Sequence, residues 1–282
     1  MKKTLTILLT LIMILGTTCL AVSADEGVKV RVSIADGSGK LVVARELVSV
    51  SDLDEDGAIT ISDALEAAHA AFYPYGADEG YGTFMSDYGL SLGKLWGEEN
   101  GGSYGYYVNN ASAWSLADPV SEGDHVYAFV YTDLVAWSDT FSWFDVDTVA
   151  ADEGEEITLT LKAAGYDADW NPVESVVEGA EITVDGEGTG IFTDENGQAT
   201  IAIEDSGKAV ISAVSDTMTL VPPICVAEVG SADDVVVEVT AAADTLPNTG
   251  VASTFVFVGC GLALVAAGIV VLSKTRKEQM TF

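Results

Sequence analysis

The sequence predicts an α+β domain followed by an all-β unit, and three observations lead there. One stretch, Ser62 to Phe72, carries apolar residues at helical spacing. Nearly every other patterned run alternates apolar and polar residues with the period of a strand. Each end of the chain carries a predominantly apolar stretch, Leu5 to Leu15 and Val251 to Leu272, of the kind used for export and membrane insertion rather than for a core.

At the start, Lys2 and Lys3 precede the apolar stretch, and Val22-Ser23-Ala24 supplies small residues for cleavage before Asp25. Residues 1–24 are therefore expected to be a signal peptide. Cys19 follows Gly16-Thr17-Thr18, which lacks the Leu and small residue that a lipoprotein signal uses. The first domain is expected over residues 25–147. Val28, Val30, Val32 and Ile34 alternate; Asp36-Gly37-Ser38-Gly39 turns the chain; Leu41 to Val50 forms the second arm of a hairpin. The helix from Ser62 to Phe72 places Ala64, Leu65, Ala68 and Phe72 on one face. Strands follow at Tyr104 to Val108 and at His125 to Tyr131, the latter alternating Val126, Ala128 and Val130. A ββα unit followed by further strands predicts a β-grasp-like domain. Between helix and third strand, Tyr75 to Ser103 is rich in Gly and aromatic residues and too long for a plain connection, so it is expected to carry function.

The segment Asp52-Leu53-Asp54-Glu55-Asp56-Gly57-Ala58-Ile59-Thr60-Ile61-Ser62-Asp63 fits a calcium-binding loop. Carboxylates at positions 1, 3 and 5 (Asp52, Asp54, Asp56) converge on one hard cation, and Gly57 at position 6 permits the sharp turn. Ala58 offers its carbonyl, Thr60 ligates directly or through water, Ile59 packs inward, and Asp63 at position 12 opens the helix. Asp rather than Glu at that last position resembles dockerin loops, of which this chain shows one, so calcium is carried over and docking is not. The cation's expected role is structural, joining strand, loop and helix once the charges are neutralised.

Tyr104-Gly105-Tyr106-Tyr107-Val108-Asn109-Asn110, Gly123-Asp124-His125-Val126 and the aromatic strand Tyr127 to Tyr131 give residues 28–134 a further likeness. They resemble bacterial surface domains related to the C-terminal β-domain of transcobalamin. In transcobalamin that domain closes over a corrinoid held against a helical barrel, which this chain lacks. The resemblance makes surface capture of a corrinoid-like small ligand an alternative function.

Residues 148–229 read as strands throughout. Ile157, Leu159 and Leu161 alternate, Ile182 and Val184 lead into Asp185-Gly186, and Asp194-Glu195-Asn196-Gly197 turns into Ala199, Ile201 and Ile203. An immunoglobulin-like β-sandwich is expected, resembling the stalk modules of surface proteins. Some such modules carry a Lys-to-Asn isopeptide bond; Lys162 sits on an early strand, but no Asn lies on the last strands to receive it, and the bond is not expected. Val235, Val236, Val237 and Val239 make residues 230–245 a spacer or final strand, reaching about 55 Å at most when extended.

The end of the chain combines Leu246-Pro247-Asn248-Thr249-Gly250, the apolar run, and Lys274, Arg276 and Lys277. In that order they resemble the sorting signal of Gram-positive surface proteins. The resemblance implies that a membrane-bound sortase cuts between Thr249 and Gly250, forms a thioester with the Thr249 carboxyl, and passes it to a peptidoglycan amine. As a transmembrane helix, residues 251–273 would measure about 33 Å from Val251 to Leu272, matching a hydrocarbon core of about 30 Å. The basic tail, residues 274–282, stays cytoplasmic in the membrane-anchored precursor.

The chain holds 44 Asp plus Glu against 12 Lys plus Arg, a net charge of −32. Five of the basic residues lie in the two terminal signals: Lys2, Lys3, Lys274, Arg276 and Lys277. Nucleic acid and anionic membrane are therefore excluded as partners. Of three cysteines, Cys19 lies in the signal peptide and Cys260 in the anchor; Cys225 is expected to pack as a small hydrophobe. Catalysis finds no constellation: His69 is placed on the polar side of the helix or near its end, His125 begins a strand, and no Ser or Cys sits in a nucleophile elbow. The expected function is a non-enzymatic, wall-anchored adhesion or ligand-binding module. Trp96, Tyr104, Tyr106 and Trp114 are its candidate contacts for a glycan, host or small-molecule ligand. A purely structural wall component is the remaining alternative.

Overall fold

The structure is a computed structural model that describes residues 27–169 and 171–230. The expected signal peptide, the spacer, the Leu246–Gly250 motif, the apolar run and the basic tail lie outside the described residues.

The chain is mostly β. Strands β1 (Val28–Ala35) and β2 (Leu41–Val50) form the expected hairpin, and helix α1 (Ile61–Phe72) follows. Strand β3 (Gly82–Ser86) pairs with β4 (Gly89–Lys94); β5 (Tyr104–Val108), the short β6 (Ala111–Ser112) and β7 (His125–Val130) complete the first half. Asn109 and Asn110 both have positive φ (50° and 64°), the twist that lets a two-residue turn join β5 to β6. The first sheet runs β2-β1-β7-β5-β6, with β1 parallel to β7 and the other pairs antiparallel.

Helix α1 begins where its sequence requires. Thr60 caps it, accepting the Asp63 amide, while the Asp63 carboxylate accepts the Thr60 amide in return. Its apolar residues Ile61, Leu65 and Ala68 then meet Val30, Val32 and Ile34 of β1 and Val126, Ala128 and Val130 of β7 in one buried cluster. Phe72, expected on the same face, is instead exposed at the helix end.

Among the described residues the second half holds ten strands: β8 (Thr140–Phe144), β9 (Thr148–Asp152), β10 (Glu156–Tyr166), β11 (Pro172–Val176), β12 (Glu181–Val184), β13 (Glu187–Phe192), β14 (Gln198–Ala202), β15 (Gly207–Val214), β16 (Leu220–Val221) and β17 (Cys225–Gly230). They make two sheets, β11-β10-β8-β16 with β14 also on β10, and β13-β12-β15-β17-β9. Asp185 and Gly186, both at positive φ, turn β12 into β13. Leu159 and Leu161 from one sheet and Ile182, Ile211 and Ala227 from the other bury each other in a second core. Cys225 is fully buried there, its thiol pushed up to about 12 by burial and the nearby Asp147 charge, which suits the small-hydrophobe role.

The boundary between the halves differs from the sequence expectation. Strand β8 lies before the expected boundary at 147/148, yet Phe144, Trp143 and Ser142 pair with Leu161, Lys162 and Ala163 of β10. The 25–147 span therefore gives its last strand to the second half, where the β8 ladder is satisfied by β10 on one side and β16 on the other. Strand β7 alternates in sequence but is buried at all six positions. Its second face, with Tyr127 and Phe129, packs on Phe141, Val221, Ile224 and Val226 of the second half in a third cluster. That cluster supplies the cover that an aromatic strand with two buried faces demands.

Candidate functional site

The acidic loop occupies the connection from β2 to α1. Ligand oxygens of Asp52, Asp54 and Asp63 lie within 4.8 Å of one another. The loop backbone fixes them. Asp52 accepts the amides of Asp56 and Gly57 at 3.1 and 2.8 Å, and Asp63 accepts Leu53 and Thr60 amides at 2.8 Å each. Gly57, at φ +93°, makes the reversal that a side chain would strain. Desolvation within the loop, together with the charges of Asp56, Asp63 and Asp52, holds the Asp54 carboxyl above its usual value. Crowded, hydrogen-bonded carboxylates with excess negative charge are the donor set a hard divalent cation fits.

The remaining members of the expected loop are placed differently. Asp56 lies outside the converging trio and accepts the Ala58 amide at 2.9 Å. Ala58 is exposed. The Thr60 hydroxyl bonds the Asp63 carboxylate at 2.8 Å as part of the helix cap.

The aromatic stretch Tyr75 to Ser103 is more ordered than a long connection. It holds a single helical turn, Ala77–Gly80, and the β3–β4 hairpin. Its keystone is His69, which the sequence placed on the polar side of the helix and which the structure buries completely. Nδ1 of His69 donates to the Leu65 carbonyl at 2.6 Å, and Nε2 accepts the Trp96 amide at 3.0 Å. The ring also packs against Tyr81 and Trp96, with centroids at 5.2 and 5.3 Å. A lone histidine among alanines gives no sequence signal of such a role, because the partners come from a loop 27 residues away.

Of the four expected contact residues, three lean on the first core. Trp96, Tyr104 and Tyr106 are half-buried against it, and the Tyr104 hydroxyl donates toward the carbonyls of Gly93 and Glu98 at 3.0 and 2.8 Å. Only Trp114 projects fully, at 83 % exposure. Tyr75, Tyr88, Met85 and Trp137, not singled out from sequence, are also strongly exposed. Strand periodicity could not reveal Tyr75, Tyr88 and Trp137, which sit at turns and loop tips, whereas Met85 lies on the exposed hairpin strand β3.

A buried polar network joins the two halves. Arg45, at a bulge in β2, points Nη1 at His125 Nδ1 (2.7 Å) and Nη2 at Asp147 (3.2 Å). Because guanidinium can only donate, Nδ1 must be the bare nitrogen, and His125 Nε2 carries the hydrogen toward Ser33 Oγ at 2.8 Å. The tautomer is thus the reverse of the one that would draw a proton from Ser33, so this Ser–His pair cannot generate a nucleophile in the arrangement seen. Asp147→Asn is expected to cost about 1–3 kcal/mol by leaving the Arg45 charge short of its counter-ion. Urea denaturation of the two forms checks this; a loss below about 0.5 kcal/mol would show that solvent at the half-exposed Asp147 already screens the pair.

A crevice of about 670 Å³ also lies between the halves, lined by Lys40, Leu41, Thr183, Val214, Met218 and Leu220 among others.

The family described as the LPXTG cell wall anchor motif matches residues 238–279. Among solved structures, the crystal structure of Dscam1 isoform 9.44, N-terminal four Ig domains, is similar at 15 % identity. That likeness covers 39 % of this chain and 23 % of that one, with a TM-score of 0.20, too slight to bear on the fold. No curated protein matches the chain. The matched segment contains the sorting motif, the apolar run and the basic residues Lys274, Arg276 and Lys277 together. The protein is covalently anchored to the Gram-positive cell wall after sortase cleavage, which implies peptidoglycan as the acceptor.

Proposed function

We propose that this wall-anchored protein is a non-enzymatic binding module, in which a β-grasp-like layer braced by calcium presents aromatic side chains and an immunoglobulin-like sandwich carries it. The observation that bears most weight is the exposure of Tyr75, Tyr88, Trp114 and Trp137 on ordered loops of an otherwise well-packed body. Strand order β2-β1-β7-β5 with α1 across one face supports the β-grasp description. Two sheets facing each other around one core support the sandwich. Sortase joins Thr249 to peptidoglycan, and the signal peptide 1–24 brings the chain to the membrane.

Cells displaying the protein are expected to adhere to glycan- or protein-coated surfaces, and cells displaying a variant with those four rings replaced by Ser are not. Equal adherence, with both ectodomains melting alike, would leave the purely structural wall component as the better reading. Corrinoid capture has only the crevice to lean on, and among the described residues a single helix exceeds one turn.

Calcium would be held by Asp52, Asp54 and Asp63, with Asp56, the Ala58 carbonyl and Thr60 the further members of the set expected from the loop pattern. When bound it would neutralise the loop's crowded charge and lock β2 to α1. The ectodomain is expected to melt higher in calcium than in chelator. Asp54→Ala should abolish that difference without lowering the midpoint in chelator, since it removes a ligand oxygen and also a repelled charge. A calcium-induced rise that survives Asp54→Ala would rule out this loop as the site.

A further inference from the structure

We propose that Tyr88 and Trp114, with the carboxylates of Asp87 and Asp118, form a carbohydrate-binding platform for neutral sugars. The proposal rests on the binding-module reading and names its ligand class and its residues. Tyr88 sits at the tip of the β3–β4 hairpin, where its amide donates to Ser86 Oγ at 3.2 Å. Trp114 sits in the loop after β6. Its amide donates to Asp118 Oδ2 at 3.0 Å, and its carbonyl accepts the Tyr106 hydroxyl at 3.4 Å.

The two loops are stitched together. Leu116 donates its amide to the Leu90 carbonyl at 2.9 Å, the Ser115 hydroxyl donates to the same carbonyl at 3.3 Å, and a Cβ at Gly89 would stand 2.9 Å from Ser115 Oγ. The residues preceding Gly89 and Ser115 are the two rings in question. Both are 83 % exposed, neither belongs to a core cluster, and among the described residues neither packs on another aromatic ring. Folding therefore gains little from them, while their backbones are held in place before any ligand arrives.

The chemistry around them narrows the ligand. A flat ring offers its face to the C–H surface of a pyranose and loses little entropy in doing so. Asp118 uses Oδ2 for the amides of Trp114 and Ser115, leaving Oδ1 to accept from a ligand hydroxyl. Asp87 is exposed at the hairpin tip beside Tyr88. Hydroxyl donors suit such acceptors, whereas anionic groups would meet both carboxylates and a chain of net charge −32. The platform is open rather than enclosed, which suits an oligosaccharide and not a buried apolar molecule.

The test is titration of the whole ectodomain, Asp25 to Thr249, followed by tryptophan fluorescence and calorimetry. Two probes separate the sources of such sugars: a β-linked N-acetylglucosamine tetramer, with the chemistry of wall glycan, and lactose, with the terminal galactose of other cell surfaces. A saturable change with either probe is expected, weakened about tenfold in Trp114→Ala and in Tyr88→Ala. Phe84→Ala, another exposed ring on the same hairpin, should bind as the parent does, and all three variants should melt as the parent does. No saturable response to either sugar would overturn the proposal. So would binding that both Trp114→Ala and Tyr88→Ala retain. If adherence to protein-coated surfaces then still depended on the exposed rings, the binding-module reading would stand and only the carbohydrate platform would fall.

Discussion

Phe129→Ala is expected to destabilise the whole ectodomain by about 3–5 kcal/mol and to lower its thermal midpoint by about 10 °C. Phe129 is 2 % exposed, and its ring lies over the glycine opposite, so that a Cβ at Gly105 would stand 2.1 Å from its Cζ. On its other side it meets the cluster of Phe141, Val221, Ile224 and Val226 contributed by the second half. Truncation removes the transfer energy of the ring and leaves a cavity between two rigid sheets, which relax only in part. Because the cluster belongs to both halves, the loss should appear in a single cooperative calorimetric transition. Two transitions, with the upper one unchanged from the parent, would show that the halves unfold independently. Gly105→Ala probes the same spot by overpacking and should cost about 1–3 kcal/mol.

Acid should weaken the fold through two histidines, beginning below about pH 6.5. Burial pushes the His69 pKa down to about 4, only partly offset by its bond to the Leu65 carbonyl. Burial, then Arg45 and Arg31, push His125 down to about 3. As pH falls through 6.5 the unfolded chain protonates both rings, while the folded chain resists until about pH 4 for His69. The unfolded state thus binds more protons in that window, and stability falls with pH. His69 alone accounts for a loss of about 3 kcal/mol by pH 4. Relief of repulsion among the carboxylates works in the opposite direction, so the clean measurement is a comparison. Urea denaturation of the parent and of His69→Gln between pH 7.5 and 4 should show the variant losing about 3 kcal/mol less. Parallel curves would mean that His69 titrates in the folded protein as it does in a free chain.

Much of the architecture was legible along the chain. The β1–β2 hairpin, helix α1 and strand β5 lie where periodicity and turn residues put them, because alternation and capping act over a few residues. The acidic loop was legible only in part: its pattern has Asp52, Asp54 and Asp56 converging, whereas one turn and one helix cap bring Asp52, Asp54 and Asp63 together and leave Asp56 outside. The aromatic contacts were not. Trp96 and Tyr104 look like Trp114 in sequence, and only the packing of His69 and the β3–β4 hairpin beneath them makes them scaffold and Trp114 surface.

By itself the sequence determined where the protein resides and which local elements it builds. The anchoring segment is read by sortase as a linear signal, and strand or helix period is a property of neighbouring residues. The tertiary structure alone decided what covers each face. It paired β1 with β7, set Ser33 against His125 from 92 residues away, gave β8 to the sandwich and buried both faces of the aromatic strand. Those outcomes depend on which distant surfaces can exclude water together, and no local pattern of residues encodes that choice.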